Sequence, residues 1–392
     1  VVVTLADATT LHIGPKPRTF IVSRSEDALI ETVRRADEAG ERMVILGGGS
    51  NVVIPDAGFA GNVVRIATSG VEVTDRSDCA GVTLRVQAGH SWDDLVQQAV
   101  SNQWVGVESL SGIPGTTGAT PIQNVGAYGQ EVAKSIASVR VWDRTTSAIR
   151  TFAAAECAFG YRTSAFKGRS EYVVLEVEFQ LRAGSLSEPV RYAELAKALG
   201  IAIGERAPLG QVRDAVLELR RAKGMVIDHT DPDTASAGSF FTNPILDAGQ
   251  ADALPEQAPR WPMDDGRVKT SAAWLIEQAG FVRGQAMGSA RLSSKHALAI
   301  TSTPEGSAAD VVALARSIRE TVLGKFGVTL VPEPVIVGDD PAYDMLPTAP
   351  LDEGVLVLDC WRRLAGAPWP ATVSWVPVGA MPVNVGDSAV AT

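Results

Sequence analysis

The sequence predicts an α+β protein with two or three domains. Many short strand-like segments are separated by turn residues, a few helical segments lie among them, and strands and helices do not alternate regularly as a doubly wound sheet requires. The chain of 392 residues is too long for one ordinary hydrophobic core. Its composition, 45% hydrophobic and 20% charged, is typical of a folded globular protein.

The first half of the chain carries most of the strand patterns. Segment 19–40 predicts a strand and then a helix capped by Ser25. The stretch "RMVILGGGSNVVI" predicts a strand, a glycine turn and a second strand, and segment 90–103 has helical periodicity, with Ser91 placed to cap the helix. Strand-rich stretches follow, including "FGYRTSAFKG". Helices are predicted within 192–200, 209–224, 269–281 and 307–327.

Composition also excludes several classes of partner and site. A formal net charge of -10 argues against binding to a nucleic-acid backbone. Three widely spaced cysteines (Cys79, Cys157 and Cys360) indicate a reducing compartment and read best as small buried thiols. Four scattered histidines predict no metal site. The first residues lack signal-peptide features and no apolar run is long enough to span a membrane, so we expect a cytoplasmic protein.

Two glycine-rich loops are candidates for binding an extended anion. "GGGSN" (47–51) follows a strand, but Val52 stands where a Rossmann fingerprint needs its third glycine, and no Lys-Ser/Thr pair completes a P-loop. A structural turn and a diphosphate-binding turn both remain open for this loop. The second loop, "SGIPGTTGATPIQNVGAYGQEV" (111–132), is almost uncharged. Together the two loops could line a flavin dinucleotide with backbone donors.

Three stretches carry candidate polar side chains. "AGSFFTNP" places Ser239 before two phenylalanines that would keep water away from it, although a structural serine with satisfied hydrogen bonds is the alternative. "GYRTSAFK" offers Arg162 and Lys167 to a carboxylate or phosphate. "LVPEPVIVG" holds Glu333 between two prolines, where it is either a rigid functional acid or a solvated turn residue.

Taken together, these stretches resemble the UDP-N-acetylenolpyruvoylglucosamine reductase family, also called UDP-N-acetylmuramate dehydrogenases, in the subtype with an extra tyrosine loop. Seven pieces match in the family's order between Thr19 and Gly338: "ILGGGSNVVI", "SGIPGTTGATPIQNVGAYGQEV", "FGYRTSAFK", "AGSFFTNP", "SAAWLIEQAGF", "SKHALAI" and "LVPEPVIVG". Seven collinear motifs are far more specific than any one of them.

The resemblance implies a two-lobed FAD-binding domain of the vanillyl-alcohol-oxidase (PCMH) type, followed by an α+β substrate-binding domain. We predict FAD-binding lobes at 18–70 and 71–184, a linker with the substrate loop and helix at 185–225, and the substrate-binding domain at 226–338. Residues 339–392 form a tail that departs from the family, and no role is predicted for it.

The resemblance also implies the reaction and its cofactors. The family reduces UDP-N-acetylglucosamine enolpyruvate to UDP-N-acetylmuramate in peptidoglycan precursor synthesis, with non-covalent FAD and with NADPH as hydride donor. By position, Ser239 is the proton donor, and Arg162 and Glu333 polarise the enolpyruvyl carboxylate. The implied substrate contacts are Tyr161, Tyr192, Lys223, Asn243 and Gln278. The implied FAD contacts are Gly47, Gly48, Gly49, Ser50, Asn51, Ser111, Gly112, Ile113, Pro114, Gly115, Thr116, Thr117, Gly118, Gln123 and Asn124.

Two other functions remain open at this point. The chain could be another FAD-dependent oxidase or dehydrogenase of the same fold, or a non-catalytic nucleotide-sugar-binding protein that has lost the flavin. We expect a nucleotide-sugar ligand, no nucleic-acid or membrane partner, and a monomer.

Overall fold

A computed structural model describes residues 3–77 and 81–338, together with the backbone of two short strands at 356–359 and 374–377. Antiparallel sheets dominate, and the few helices pack against them, as the α+β prediction requires. No helix within the described residues has both the length and the apolar character needed to cross a bilayer.

The N-terminal part of the fold is a small parallel sheet with one helix. Its three strands lie in the order β1-β4-β2. The predicted cap is confirmed, because the Ser25 Oγ accepts a hydrogen bond from the Ala28 amide at 3.3 Å. The elements are β1 (Thr19–Ser23), α1 (Glu26–Glu38), β2 (Met43–Leu46), β3 (Val52–Val53) and β4 (Asn62–Ile66).

A larger antiparallel sheet follows, with the order β11-β10-β12-β6-β5 and with β7 also paired to β12. Helix α2 packs its buried Trp92, Leu95 and Val96 into the core of this sheet. Its strands and helix are β5 (Val71–Ser77), β6 (Gly81–Gln87), α2 (Trp92–Ser101), β7 (Trp104–Val105), β10 (Ile136–Asp143), β11 (Ala148–Ala153) and β12 (Tyr172–Ala183). Between β7 and β10 in the chain, β8 (Gly126–Ala127) and β9 (Gln130–Glu131) form a separate antiparallel pair.

One predicted strand is wrong. The stretch "FGYRTSAFKG" forms a turn-rich loop between β11 and β12, with only an isolated bridge from Gly160 to Thr163. Its aromatic residues mimic a strand pattern because Phe166 packs edge-on against Phe152 and Tyr172 of the neighbouring sheet. The backbone of Arg162 has φ 53°, a left-handed conformation that no strand residue adopts.

Two helices connect this sheet to the rest of the chain: α3 (Ala193–Leu199) and α4 (Leu209–Ala222). An ion pair joins α4 to α2, since both terminal nitrogens of Arg213 donate to the Asp93 carboxylate at 2.7 and 2.8 Å. Asp93 also accepts from the Gly112 amide at 2.6 Å. The helix is therefore held against the start of the second glycine-rich loop.

The C-terminal part contains two more sheets, in the orders β13-β19-β18-β17 and β14-β16-β15. Phe240 and Phe241 lie in its core, with their rings in a tilted edge contact at 5.3 Å. The elements are β13 (Ser236–Ser239), β14 (Ile245–Leu246), α5 (Ala248–Asp252), β15 (Trp261–Pro262), β16 (Val268–Lys269), α6 (Ala272–Gln278), β17 (Ala286–Met287), β18 (Ala290–Leu292), β19 (Ala299–Ser302), α7 (Ala308–Phe326) and β20 (Val335–Ile336).

Strand β20 joins the two ends of the fold. It pairs in parallel with β3, the short strand that directly follows the first glycine loop. The Val335 amide donates to the Asn51 carbonyl at 2.9 Å, and the Val337 amide donates to the Val53 carbonyl at 3.0 Å. The end of the C-terminal part is thereby held beside residues 47–51.

The domain boundaries inferred from the sequence stay predictions. In the predicted tail, β21 (Leu356–Asp359) and β22 (Ser374–Pro377) form a parallel pair, whereas Trp361 and Trp369 lie outside the described residues.

Cys157 is buried as expected, and burial raises the pKa of its thiol to about 12, so it is an inert core residue. Cys79 and Cys360 lie outside the described residues.

Candidate active site

A cleft of about 320 Å³ brings together residues from distant parts of the sequence. The first glycine loop and part of the second line one wall of this cleft. Arg162, Ser239 and Glu333 line it as well. The three predicted catalytic side chains and the predicted cofactor loops therefore share one site. Within the described part of the chain, no cluster of histidine, cysteine or carboxylate side chains could hold a metal ion.

The two glycine loops touch backbone to backbone. A Cβ atom added to Gly48 would lie only 2.6 Å from the Gly115 Cα, so no side chain fits between the loops at that point. The Ser50 hydroxyl ties them together by donating to the Pro114 carbonyl at 3.1 Å. The result is a smooth wall of peptide groups next to a cleft, which suits the approach of a dinucleotide diphosphate.

Members of the second loop divide into two groups. Ile113, Pro114 and Thr116 line the cleft. Ser111, Thr117 and Gly118 support the loop from behind. Ser111 donates to the Glu108 carbonyl at 2.7 Å, Thr117 donates to the His90 carbonyl at 3.1 Å, and Gly118 leaves no room for a side chain against Ala88.

Gln123 and Asn124 have different positions although they are neighbours in sequence. Gln123 lines the cleft, accepts from the Asn51 amide at 2.9 Å and donates to the Glu333 carboxylate at 3.3 Å. The Asn124 side chain is buried and bonds to the Gly160 carbonyl, Glu131 and the Ala133 amide. Asn124 thus shapes the cleft through the loops it holds, while its predicted contact with FAD stays a prediction.

Arg162 and Glu333 form a partly buried ion pair in the cleft. The Arg162 Nε lies 3.5 Å from the Glu333 Oε1, and the two side chains are only 20% and 15% exposed. The terminal nitrogens of Arg162 also donate to the Asn124 and Gly126 carbonyls, at 3.2 and 2.6 Å. These bonds fix the orientation of the guanidinium group. Glu333 lies two residues before β20, and the parallel pairing of β20 with β3 holds it beside the first glycine loop.

Burial raises the pKa of Glu333, although the positive charges of Arg162 and Lys167 oppose that shift. The carboxyl group therefore keeps its proton to higher pH than an exposed glutamate does. Lys167, whose Nζ donates to the Arg162 carbonyl at 2.8 Å, also lines the cleft. Two cations, Arg162 and Lys167, therefore line the cleft beside a glutamate whose pKa is raised.

Ser239 lies at the end of β13, directly after Gly238, which adopts φ 75°. Ser239 lines the cleft, and its hydroxyl has no hydrogen-bond partner within the described residues. The two phenylalanines after it do not line the cleft as expected. They pack in the core and so anchor the strand that carries Ser239.

Comparisons with known proteins agree with this geometry. Residues 17–151 match the family described as an FAD binding domain, and residues 231–337 match the C-terminal domain of UDP-N-acetylenolpyruvoylglucosamine reductase. The chain is 52% identical to the UDP-N-acetylenolpyruvoylglucosamine reductase of Thermobifida fusca, over 86% of this chain and 97% of that protein. It is also 52% identical to the reductase of Salinispora arenicola, over 85% of this chain and 94% of that protein. The chain belongs to this reductase family.

A solved structure supports the same conclusion. The UDP-N-acetylenolpyruvylglucosamine reductase of Thermus caldophilus is similar to this chain with a TM-score of 0.57 and 25% identity, covering 85% of this chain and 97% of that one. Family membership confirms the predicted fold class, with its FAD-binding domain and substrate-binding domain. As a member of the reductase family, the protein is an FAD-containing oxidoreductase of peptidoglycan precursor synthesis.

The predicted substrate residues of the reductase lie around the cleft rather than in its lining. The Tyr161 ring lies between two cations, 5.5 Å from the Arg162 guanidinium carbon and 5.0 Å from the Lys269 Nζ. Asn243 uses its side-chain oxygen to accept from the Ala272 amide at the start of α6, at 3.0 Å. Gln278 is exposed at the other end of α6. Their roles as substrate contacts stay predictions.

Tyr192 and Lys223 both contact Tyr128, a residue that the sequence analysis did not identify as a site residue. The Tyr128 ring makes an edge contact with Tyr192 at 5.4 Å, and the Lys223 Nζ lies 5.6 Å from the Tyr128 centroid. Lys223 also bonds to Glu194 at 2.6 Å. Tyr128 belongs to the glycine-rich stretch "GAYGQ", where an aromatic residue between two glycines was the available signal.

Proposed function

We propose that this chain catalyses the NADPH-dependent reduction of UDP-N-acetylglucosamine enolpyruvate to UDP-N-acetylmuramate. The observation that carries the proposal is the shared cleft, in which the Ser239 hydroxyl, a partly buried Arg162–Glu333 pair and two touching glycine loops meet. The serine can donate a proton to the substrate carbon, the Arg162–Glu333 pair can stabilise charge on the carboxylate, and the glycine loops can bind the flavin cofactor.

The reaction adds a hydride to the methylene carbon of the enolpyruvyl group and a proton to the adjacent carbon, while NADPH becomes NADP⁺. Bound FAD supplies the hydride that NADPH has previously delivered. The residues that would hold FAD are the backbone of 47–51, Ser50, Asn51, and the cleft-lining part of 113–116. The close contact between Gly48 and Gly115 gives a cofactor unhindered access to the peptide groups of this wall.

Arg162 and Glu333 act on the substrate carboxylate. When hydride adds to the methylene carbon, negative charge develops on the neighbouring carbon and spreads into the carboxylate. The Arg162 guanidinium, already oriented by its bonds to two backbone carbonyls, can stabilise this charge without reorganisation. Burial raises the pKa of the Glu333 carboxyl group, so it binds a proton more readily than an exposed glutamate and, when protonated, can share that proton with the same carboxylate.

Ser239 delivers the proton to the carbon next to the carboxylate. A serine is not acidic near neutral pH, so the step depends on a positioned hydroxyl that gives up its proton as the carbanion-like charge forms. The Ser239 hydroxyl meets this need because the protein leaves it without a partner and fixes its strand through Phe240 and Phe241. Tyr161, Tyr192, Lys223, Asn243 and Gln278 remain the proposed contacts of the nucleotide sugar.

Replacing one hydroxyl tests the assignment. In Ser239→Ala, FAD binding and flavin reduction by NADPH should match the wild type, because neither needs the proton donor. Reoxidation of the flavin by the enolpyruvyl sugar should slow between about a hundredfold and ten-thousandfold. Anaerobic stopped-flow absorbance of the flavin measures both half-reactions separately.

Ser236→Ala is the matched control, since this buried serine lies on the same strand and, within the described residues, its hydroxyl bonds only to the Gly238 amide, from which it accepts at 3.2 Å. Its reoxidation rate should stay within about threefold of the wild type, because loss of one neutral hydrogen bond is a small effect. Normal reoxidation in Ser239→Ala, or an equal loss in both variants, would contradict the role of Ser239 as proton donor.

A cytoplasmic location and a monomeric state also remain proposals. Light scattering of the purified protein tests the monomeric state.

A further inference from the structure

Arg220 is a cation in the cleft that the reaction scheme does not use. It lies in the last turn of α4, two positions before the helix ends, and it lines the same cleft as Ser50, Pro114 and Ser239. It also continues the buried face of the helix, after Leu209, Val212 and Val216. An arginine in line with a buried apolar stripe needs a partner.

The protein itself supplies little for this guanidinium group. One terminal nitrogen donates to the Met225 carbonyl at 2.7 Å, and the buried Nε has no hydrogen-bond partner within the described residues. Across that part of the chain, no carboxylate forms an ion pair with Arg220. Asp93, an acidic neighbour, is already bound by both terminal nitrogens of Arg213. Burial lowers the pKa of Arg220 to about 10, which reflects this lack of compensation.

Arg220 lies against the second glycine loop and also has Tyr128 as a neighbour. A Cβ atom built on Gly112 would lie 3.5 Å from the Arg220 Nε, so the guanidinium lies directly against the second glycine loop. Lys223, three residues later, turns to Glu194 and Tyr128 instead. The end of α4 therefore places Arg220 against the second glycine loop and Lys223 beside Glu194 and the Tyr128 ring.

We propose that Arg220 is the counter-ion of the FAD diphosphate. The diphosphate is the only part of oxidised FAD with a permanent negative charge, and a planar guanidinium can donate to two phosphate oxygens at once. The C-terminal end of a helix repels anions by itself, so a diphosphate beside it requires a cation such as this one. The proposal rests on FAD binding by the family and not on the residue roles assigned to the reduction.

Binding of FAD to the apoprotein tests the proposal without any turnover. FAD is removed from the wild type and from Arg220→Met, Arg220→Lys and Arg221→Met, and oxidised FAD is titrated back while flavin fluorescence is followed. Arg221 is the matched control, because it is exposed on the same helical turn. Arg220→Met should weaken FAD binding between about tenfold and a hundredfold, as expected for the loss of a charge-assisted contact. The FAD affinity of Arg220→Lys should lie between those of the wild type and Arg220→Met. The FAD affinity of Arg221→Met should stay within about twofold of the wild type.

Two further measurements separate this role from its alternatives. Thermal unfolding of apo Arg220→Met should occur at the same or a higher temperature than in the wild-type apoprotein, because an uncompensated buried charge is removed. A clear fall in that temperature would show a structural role and overturn the proposal. Unchanged FAD affinity would also overturn it. If in that case the holoenzyme binds UDP more weakly, the counter-ion belongs to the substrate diphosphate instead.

Discussion

The two walls of the cleft are built in opposite ways. The glycine wall, made by 47–51 and 111–118, uses backbone groups and the absence of side chains, as the contact of Gly48 with Gly115 shows. The charged wall uses three side chains from separate regions, Arg162, Ser239 and Glu333, and holds them by buried hydrogen bonds and strand pairing. We propose that the first wall determines whether FAD binds, and that the second determines what the bound flavin can reduce.

The largest difference between the walls should appear when Arg162 is replaced by Lys. The charge remains, but the fork that donates to two carbonyls and faces Glu333 is lost. Flavin reoxidation by the enolpyruvyl sugar should fall between about a hundredfold and a thousandfold, with FAD affinity nearly unchanged. Stopped-flow kinetics and FAD titration check the two parts.

Arg169→Lys is the control for that substitution, because Arg169 pairs with Glu171 in the same loop outside the cleft lining. A proportional loss of FAD binding in Arg162→Lys would mean that the two walls are not functionally separate.

Gly48→Ala should produce the converse result. The added methyl group would press against the Gly115 backbone, so the two loops must move apart. We expect FAD to bind about tenfold to a hundredfold more weakly, since overpacking typically costs about 1–3 kcal/mol. In protein that is saturated with FAD, the rate of reoxidation should change little.

Gly210→Ala provides the comparison, because a Cβ at this position of α4 meets nothing within 4 Å. That variant should bind FAD normally and be slightly more stable to heat. If both glycine variants bind FAD like the wild type, the glycine wall does not form the cofactor site.

The acid of the charged wall should give a pH signature. The pKa of Glu333 is raised in the folded protein, so the stability associated with its neutral form is present at low pH and is lost as pH rises through that pKa. Flavin reoxidation should decline over the same range. Glu333→Gln, which is neutral at every pH, should lose this decline and lower the maximal rate about tenfold.

Rates of reoxidation and free energies of unfolding, each measured against pH for both proteins, check this prediction. An unchanged pH profile in Glu333→Gln would assign the titration to another group.

The smallest effect should come from replacing Asn51, whose side chain connects the glycine wall to the charged wall. The Asn51 amide donates to Gln123 at 2.9 Å and to the Glu333 carbonyl at 3.3 Å. Asn51→Ala should reduce both FAD affinity and reoxidation by only about threefold to tenfold, since each neutral hydrogen bond contributes about 1 kcal/mol. Asn102→Ala, at an exposed helix end, should change neither quantity. A change in one quantity alone would show that Asn51 serves a single wall.

Local features of the fold could be predicted from the sequence because they depend on neighbours in the chain. Ser25 and Ser91 cap the helices expected of them, with the Ser91 hydroxyl accepting from the Asp94 amide. The strand, glycine turn and strand around 47–51 also form as expected. Aromatic spacing in 159–168 misled the strand prediction because those rings pack onto a neighbouring sheet from a loop.

The site was less predictable, since its geometry depends on contacts between distant segments. The pairing of β20 with β3 brings Glu333 to the first glycine loop, and nothing local in either strand reveals this. Resemblance to the family supplied Ser239, Arg162 and Glu333, while the structure shows that Asn124 supports the loops from within. Arg220 could have been suspected from the sequence, because it continues an apolar helical stripe.

The most direct test of the account is the colour cycle of the purified protein under anaerobic conditions. The protein should carry a flavin whose visible absorbance is bleached by NADPH and recovers when UDP-N-acetylglucosamine enolpyruvate is added, with UDP-N-acetylmuramate as product. Recovery with an unrelated alcohol-derived acceptor but not with the enolpyruvyl sugar, or protein that binds no flavin, would contradict it.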